Sequence, residues 1–336
     1  MSIDRATYKS DGLLLLTAAI WGLAFVAQRS GMASIGPFAF NAARFALGAA
    51  SLAPLILAGR LRARSGRPGR SGRPGKAAHA PAAKGPVPHG EALGSPLGAA
   101  AKAWRIAAAG TVLFCGASLQ QVGIVTTTAG NAGFITSLYV VLVPILGFAF
   151  RRSSGTVYGP GIWVGAAVAL VGLYLLTVGS GLHMAPGDLL ELVGALFWAV
   201  HILILGRFAK IMDALELAAG QFAVCAALSL GGALLSEPAL FGGLAPAALP
   251  VLYGGLFSIG IAYTLQIVAQ KSAHPAHASI ILSMEALFAG IGGVVILAEP
   301  LTWRLAGGGL LMLSGMVVSQ LGPIGAPTSR AERRDA

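Results

Sequence analysis

The chain has 336 residues, of which 56% are hydrophobic and only 10% are charged, and its net charge is +11. Soluble domains carry about 25% charged residues, so this composition argues against a soluble globular protein and predicts that lipid surrounds most of the surface. The basic residues lie in loops and tails between apolar runs, which indicates membrane topology and not a nucleic-acid partner. Cys115 and Cys225 each lie inside an apolar run, so we expect buried thiols without a disulfide or a metal ion.

Ten stretches of the sequence are apolar enough to cross a bilayer, which takes about 20 residues. The first follows Arg5 and Lys9, as the apolar part of a signal peptide would. It is longer than such a segment and has a counterpart later in the chain, so we interpret it as an uncleaved first helix. The predicted membrane helices are 12–30, 37–58, 104–125, 131–150, 160–179, 188–206, 214–235, 248–270, 277–298 and 304–322.

The distribution of basic residues predicts the orientation in the membrane. With a cytoplasmic N-terminus, twenty of the 23 Lys and Arg residues fall on the cytoplasmic side. Only Arg29 and Arg304 fall on the opposite side, and Arg44 lies within the second helix. Because loops rich in Lys and Arg stay in the cytoplasm, we predict a multi-pass inner-membrane protein with both termini cytoplasmic.

Residues 59–103 do not span the membrane. They contain SGRPGRSGRPGK, a short basic repeat, followed by a stretch rich in Ala, Pro, Gly and His. This composition predicts a flexible cytoplasmic linker, either a solvated loop or a segment that contacts anionic lipid. The predicted organisation is helices 1 and 2 of a first repeat (1–58), the linker (59–103), helices 3 to 5 of that repeat (104–179), a second repeat (188–322) and a cytoplasmic tail (323–336).

An internal repeat is visible at an offset of 177, which carries Asp11 and Trp21 onto Asp188 and Trp198. The same offset carries Arg44-Phe45 onto Gln221-Phe222. Past the linker, an offset of 145 carries Gln121 onto Gln266. Each repeat has an odd number of helices, so the second enters the membrane from the opposite side. The fold class is therefore predicted as all-α and polytopic, with ten transmembrane helices in two inverted five-helix repeats.

Several short motifs follow one another along the chain: Trp21-Gly22 followed by Phe25, Pro37-x6-Arg44-Phe45, Ser283-Met284-Glu285, Ala298-Glu299-Pro300 and a Gly-rich last helix. In this order, and with ten predicted helices, they resemble the EamA-type transporters of the drug/metabolite transporter superfamily. The resemblance covers nearly the whole chain except 59–103. The sequence departs from the family in the long linker and in Arg151-Arg152, where the first repeat lacks an expected Glu.

The resemblance implies transport of a small metabolite, amino acid or drug-like compound across the lipid bilayer, and not an enzyme or a cofactor-dependent protein. Two other interpretations stay open: a sensor or scaffold with the basic linker as its docking arm, and a membrane-embedded enzyme such as a headgroup transferase. The absence of a Walker motif argues against an ATP-driven pump. Coupling to protons or other ions, and pairing into a homodimer, are also left open.

Ionisable residues inside membrane helices are costly and mark functional positions. Arg44 and Glu285 lie deep in predicted helices, and His201 lies towards the inner end of the sixth. Glu191 lies one turn inside the sixth helix, within reach of the interface. Arg44 and Glu285 either form an ion pair that joins two helices or contact a substrate or proton directly. Pairing of Arg44 with Glu191 is the alternative, and for His201 the alternative is a hydrogen-bonded interior side chain.

Aromatic and amide side chains at comparable depths predict a substrate cavity, since small-molecule sites combine aromatic walls with a few polar groups. The spacing of His274 and His277 resembles a metal site, but no Cys or acidic residue is nearby in the sequence, so we expect no metal. Gly161 and Gly165 form a GxxxG pattern, which predicts close helix packing. The predicted cavity residues besides Arg44, His201 and Glu285 are Trp21, Gln121, Tyr139, Trp198, Tyr263 and Gln266.

Overall fold

The computed structural model describes residues 5–65, 97–127, 129–149, 159–177, 185–296 and 302–321. Within these ranges all regular secondary structure is helical. The helices are α1 (Arg5–Gly31), α2 (Pro37–Ser65), α3 (Ala99–Thr126), α4 (Ala129–Ser137), α5 (Tyr139–Ala149), α6 (Pro160–Thr177), α7 (Pro186–Phe208), α8 (Ala214–Ser236), α9 (Ala248–Leu252), a π-helical segment (Tyr253–Tyr263), α10 (Thr264–Ala269), α11 (Pro275–Leu282), α12 (Glu285–Ile296) and α13 (Trp303–Leu321).

These helices occupy the ten predicted windows. Eight helical stretches are long and apolar enough to cross a bilayer, and two shorter apolar helices, Pro160–Leu175 and Ala306–Ser319, occupy the fifth and tenth windows. The protein is therefore a multi-pass membrane protein. The linker is shorter than predicted, because α2 continues to Ser65 and α3 begins at Ala99. Residues 66–96, Arg151-Arg152, Ala298-Glu299-Pro300 and the tail lie outside the described residues.

Two membrane helices are interrupted at their centres. The first breaks between α4 and α5 at Leu138, and the second breaks between α11 and α12 at Ser283 and Met284. At the second break, Ser283 Oγ donates to Ile280 O at 2.8 Å, a local bond that competes with the helical pattern. The two breaks are equivalent, since one and the same offset carries the start of α4 (Ala129) onto that of α11 (Pro275) and the start of α5 (Tyr139) onto that of α12 (Glu285).

The eighth membrane helix is continuous from α9 to α10, but its centre, Tyr253–Tyr263, is π-helical. This segment contains three glycines and packs closely against α2. A Cβ atom on Gly255 would lie 2.7 Å from Leu47 Cδ2, which is closer than real contacts allow. The wider π-turn thus lies where two backbones approach each other, and such turns often mark functional positions.

The two halves of the chain are interwoven through their first helices. Helix α1 packs against α10, α11, α12 and the π-helical segment, all from the second half, whereas α7 packs against α3, α4 and α5 from the first half. Three side chains of α1 donate hydrogen bonds to backbone carbonyls of the eighth membrane helix: Ser10 to Ala269 (2.9 Å), Thr17 to Ala262 (3.1 Å) and Trp21 to Ser258 (3.1 Å). The first helix of each half therefore packs mainly within the opposite half of the chain.

Equivalent helices also meet directly and run antiparallel. Helices α2 and α8 start at Pro37 and Ala214, two positions that the repeat offset found in the sequence makes equivalent. The side chain of Glu237, just after α8, accepts hydrogen bonds from the backbone N–H groups of Phe38 (2.7 Å) and Ala39 (2.9 Å) at the start of α2. A carboxylate at a helix N-terminus satisfies free N–H groups and the helix dipole, so this contact fixes the two helices at one end.

Helices α6 and α13 form a second antiparallel pair, which we call the glycine seam (Gly165, Gly172, Gly308 and Gly315). A Cβ atom on Gly165 would lie 2.6 Å from Gly315 O, and one on Gly315 would lie 2.6 Å from Gly165 O. A Cβ atom on Gly172 would likewise lie 2.6 Å from Gly308 O. Backbone-to-backbone contact of this kind requires glycine, so the sequence-based expectation of close packing at Gly165 agrees with the structure.

Candidate functional site

A cavity lies at the centre of the bundle, between the two interrupted helices, and we call it the central cavity. The cavity is partly open, and the centres of water-sized molecules can occupy about 40 Å³ of it. Side chains from both halves of the chain form its wall, and eight of them were predicted from the sequence. These are Trp21, Arg44, Tyr139, Trp198, His201, Tyr263, Gln266 and Glu285.

Gln121 is the exception among the predicted residues, because the structure places it outside the central cavity. Its side chain is fully buried, and its Nε2 makes only a long 3.5 Å contact with Gln28 O. Gln120, one residue earlier, lines the cavity instead. The starts of the interrupted helices, Tyr139 of α5 and Glu285 of α12, are one residue further apart than Gln121 and Gln266, which the sequence paired. The larger offset makes Gln120 the equivalent of Gln266. The π-helical segment immediately before Gln266 shifts the register that uniform counting assumes.

Aromatic rings surround Tyr263 at the middle of the cavity. Its ring centroid lies 4.5 Å from that of Trp21, 6.2 Å from that of Trp198 and 5.9 Å from that of Phe222. Phe222 also contacts its repeat equivalent, Phe45, at 6.3 Å. The result is an apolar, polarisable belt formed by α1, α2, α7, α8 and the π-helical segment.

Arg44 provides the positive charge of the cavity and is only 3% exposed. Its Nε donates to Asn41 Oδ1 at 2.8 Å, and Asn41 Nδ2 in turn donates to Ala117 O at 3.1 Å. The guanidinium carbon lies 5.4 Å and 5.2 Å from the ring centroids of Phe40 and Phe45. These contacts hold the guanidinium through Nε and its two flanking rings, and Arg44 is one of the residues that line the cavity.

Glu285 provides the carboxyl group, at the first position of α12 and 3% exposed. Its Oε1 accepts hydrogen bonds from Tyr139 Oη at 2.9 Å and from Ser137 Oγ at 3.4 Å. Tyr139 is the first residue of α5, so the equivalent residues at the two helix breaks contact each other. On α1, a Cβ atom on Gly22 would lie 2.6 Å from Glu285 O, so only glycine lets α1 approach the break.

Neither of the ion pairs considered for Arg44 is formed. Neither Glu285 nor Glu191 lies within ion-pair distance of Arg44, because each carboxyl group is held by hydroxyl groups of the α4–α5 helix. The sequence placed Glu191 within reach of the membrane interface, but the structure places its side chain in the protein interior. It is fully buried, accepts a bond from Thr136 Oγ1 at 3.2 Å through Oε2, and has no partner at Oε1 among the described residues.

A polar network joins the walls of the cavity. Trp198 Nε1 donates to Gln120 Oε1 at 2.9 Å, and Gln120 Nε2 donates to Gln28 Oε1 at 3.0 Å. His201 Nε2 lies 2.9 Å from Gln221 Oε1, so the histidine both lines the cavity and has the interior hydrogen bond considered as its alternative role. Gln221 is the repeat equivalent of Arg44.

Seven lining residues were not predicted from the sequence: Ala24, Phe25, Gln28, Gln120, Thr136, Ile202 and Ser258. Several follow from helical spacing, since Ala24, Phe25 and Gln28 lie three, four and seven positions after Trp21 and share its face. Thr136 and Ser258 carry no comparable signal, because uncharged hydroxyl residues are common in membrane helices. Their positions depend on the helix break and on the π-helical segment.

The two histidines with metal-like spacing have other partners. His277 Nε2 lies 3.0 Å from Asp11 Oδ1, and its Nδ1 lies 2.8 Å from Ser319 Oγ, so it joins α1, α11 and α13. His274 precedes α11, and its ring accepts a hydrogen bond from the backbone N–H of Ala276 at 3.3 Å. Burial, and then the nearby Lys210 and His277, lower the pKa of His274 to about 4.

Interwoven halves, two interrupted helices and a cavity lined by polar and aromatic side chains of both halves define a polytopic membrane protein with an internal site. The model of the EamA-like transporter family matches residues 9–178 and 185–320, one match for each half. The chain belongs to this family.

Similar proteins agree with this assignment. An uncharacterized transporter of Archaeoglobus fulgidus is 29% identical over 310 residues, which cover 91% of this chain and 84% of that protein. The uncharacterized inner membrane transporter YedA of Escherichia coli K12 is 32% identical over 131 residues, or 37% of this chain and 42% of YedA. A solved crystal structure with 21% identity has the same fold, with a TM-score of 0.68 over 95% of this chain and 98% of the other.

Proposed function

We propose that this protein is a secondary transporter, which binds a small molecule in the central cavity and moves it by alternating access between two inverted five-helix repeats. One observation carries the proposal: side chains of both halves converge on one internal cavity where two equivalent helices are interrupted. Transporters with inverted repeats bind substrates at the repeat interface, at discontinuous helices.

The antiparallel pairing of equivalent helices supports the inverted arrangement. Helices α2 and α8 meet start to end, and the glycine seam joins α6 and α13 in opposite directions. Contacts between equivalent residues, Phe45 with Phe222 and Tyr139 with Glu285, are what a two-fold axis through the cavity produces. An odd number of spans per repeat gives the second repeat the opposite orientation.

The proposed setting is the inner membrane, with both termini in the cytoplasm. Its support is the excess of Lys and Arg on one side of the predicted spans. Single cysteines placed at Gly90 and near the C-terminus, in a variant whose two native cysteines are replaced by alanine, test the topology in intact cells. Labelling of either position by a membrane-impermeant reagent from outside would overturn the orientation.

Transport itself is tested by comparing metabolite distribution between a deletion strain and a strain that overexpresses the protein. We expect at least one small molecule to change its ratio between cells and medium in opposite directions in the two strains. No such change, with the protein folded and inserted, would favour a sensor or scaffold.

A further inference from the structure

The charge of Arg44 has no counter-ion in the described part of the chain. Its only hydrogen bond there is from Nε to Asn41 Oδ1, at 2.8 Å. No acidic side chain of the described residues lies within ion-pair distance. A buried charge is costly unless it is paired, and arginines inside membrane proteins usually are. An arginine that lines a cavity without an acidic partner is therefore available to an anion that enters the cavity.

The side chain is also positioned before any ligand arrives. Asn41 holds Nε and is itself tied to Ala117 O, while the rings of Phe40 and Phe45 flank the guanidinium. Nη1 and Nη2 remain, and together they form the planar pair of donors that matches the two oxygens of a carboxylate. A fixed donor pair binds an anion without the entropy cost of ordering a flexible side chain.

The rest of the cavity restricts which anions fit. Glu285 lines the same cavity, so a ligand with a second negative charge would face a carboxyl group instead of a cation. The rings of Trp21, Tyr263 and Trp198 line the same cavity and contact one another, and they favour an apolar or cationic body. The cavity is therefore complementary to a molecule with one anionic group, either a monoanion or a zwitterion.

We infer that the substrate of the transport function proposed above is a small organic carboxylate, whose carboxylate group is bound by the guanidinium of Arg44 while its body lies among Trp21, Tyr263 and Trp198. Glu285 disfavours dicarboxylates and accepts an ammonium group where the substrate carries one.

A binding experiment tests this assignment without knowledge of the natural substrate. The purified full-length protein is titrated with benzoate and with benzamide, its uncharged analogue of the same shape, and the thermal midpoint is measured. We expect benzoate to raise the midpoint of the wild-type protein, and benzamide to have little effect. In Arg44→Gln, the benzoate affinity should fall about tenfold or more, as expected for loss of a charged hydrogen-bonding partner. Arg44→Lys keeps the charge but not the planar donor pair, so its benzoate affinity should lie between those of the wild type and Arg44→Gln.

Arg105→Gln is the matched control, because Arg105 also lies on a membrane helix but donates to Ala101 O and does not line the cavity. It should bind benzoate like the wild type. Equal effects of benzoate and benzamide, no effect of either, or an unchanged benzoate effect in a folded Arg44→Gln or Arg44→Lys variant would overturn the assignment. Stabilisation by inorganic phosphate but not by benzoate would indicate an adventitious ion only, and would overturn it as well.

The metabolite comparison separates this assignment from the transport function. Compounds that respond to the wild-type protein should carry a single carboxylate and should not respond to Arg44→Gln. If responding compounds lack an anionic group, transport stands and the carboxylate assignment fails. If no compound responds but benzoate binds through Arg44, the anion site stands and transport fails.

Discussion

The glycine seam and the central cavity are both places where the two halves of the molecule meet, but they differ in what the halves contribute. At the seam, Gly165 and Gly315 each lie against the other's backbone, so both halves supply the same residue type. At the cavity, Tyr139 of one half faces Glu285 of the other, and Gln221 replaces Arg44 at the equivalent position. The packing of the seam repeats between the halves, whereas the ionisable residues of the cavity do not, so damage to the two regions should have different consequences.

The largest effect on folding is expected at the seam. In Gly315→Ala, the new Cβ atom would lie 2.6 Å from Gly165 O and 2.8 Å from Ala169 N, which forces the two backbones apart. We expect a loss of about 1–3 kcal/mol of stability, the usual cost of overpacking, visible as a lower thermal midpoint in detergent. Gly307→Ala on the same helix is the control, since its Cβ atom would meet only Leu175 Cδ2 at 3.6 Å. Equal midpoints for the two variants would contradict the seam.

At Glu285 in the cavity, the effect should fall on transport and leave folding nearly unchanged. Glu285→Gln keeps the size of the side chain and an oxygen that accepts the Tyr139 hydrogen bond, but it removes the carboxylate. We expect transport to fall about tenfold or more, since hydrogen bonds to charged groups are worth more than neutral ones, while the thermal midpoint stays close to that of the wild type. Glu216→Gln, which breaks a half-buried ion pair with Lys102 away from the cavity, serves as the control. Normal transport by Glu285→Gln would remove Glu285 from the mechanism.

Variants of two adjacent glutamines test which of them lines the cavity. Gln120→Leu removes the acceptor of Trp198 Nε1 and the donor to Gln28, so we expect lower transport and a destabilisation of about 1–3 kcal/mol from the unpaired groups. Gln121→Leu removes one long hydrogen bond and an oxygen without a partner among the described residues, so it should be close to neutral in both measurements. A larger transport defect in Gln121→Leu would restore the register expected from the sequence.

A smaller, pH-dependent effect is expected at the loop before α11, outside both regions. The pKa of His274 is lowered to about 4 in the folded protein, against about 6.5 in an unfolded chain. The unfolded chain then binds more protons between these values, so the contribution of His274 to stability is complete above about pH 6.5 and is lost as the pH falls towards 4. His274→Asn keeps a good helix-capping residue that does not titrate. As the pH falls over this range, the thermal midpoint of the variant should fall less than that of the wild type. If the midpoints of the two proteins change in parallel with pH, His274 does not contribute to the pH dependence of stability.

The smallest effect is expected from the linker. Deletion of residues 66–96, which removes the low-complexity stretch between α2 and α3, should leave the thermal midpoint and transport unchanged. A long connection of this composition contributes little to the stability of the helices that it joins. A deletion protein that fails to accumulate in the membrane would show that the segment packs on the helical bundle.

Much of the fold was predictable because membrane helices are recognised by their length and apolarity. The offset of 177 placed α8 correctly relative to α2, and Trp21 and Trp198 both reach the cavity. The ionisable residues inside predicted helices correctly indicated the position of the cavity, but they did not indicate which side chains contact each other. Arg44 and Glu285 line the same cavity, yet each is held by uncharged neighbours that a sequence cannot assign to it.

The remaining errors have a common cause, which is a departure from uniform α-helix. The π-helical segment moved the equivalence of Gln266 from Gln121 to Gln120. The break at Leu138 placed Thr136 beside Glu191 and buried a carboxyl group that the spacing had left near the interface. The hydrophobic pattern of a sequence predicts which segments form membrane helices, but it does not predict where such a helix is interrupted or becomes π-helical.

The contacts of α1 have a consequence for the order of events during synthesis. The partners of Ser10, Thr17 and Trp21 lie 259, 245 and 237 residues further along the chain. Because a chain is made from its N-terminus, α1 leaves the ribosome well before the segment Ser258–Ala269 that accepts its hydrogen bonds. Helix α1 therefore enters the membrane long before its final environment exists.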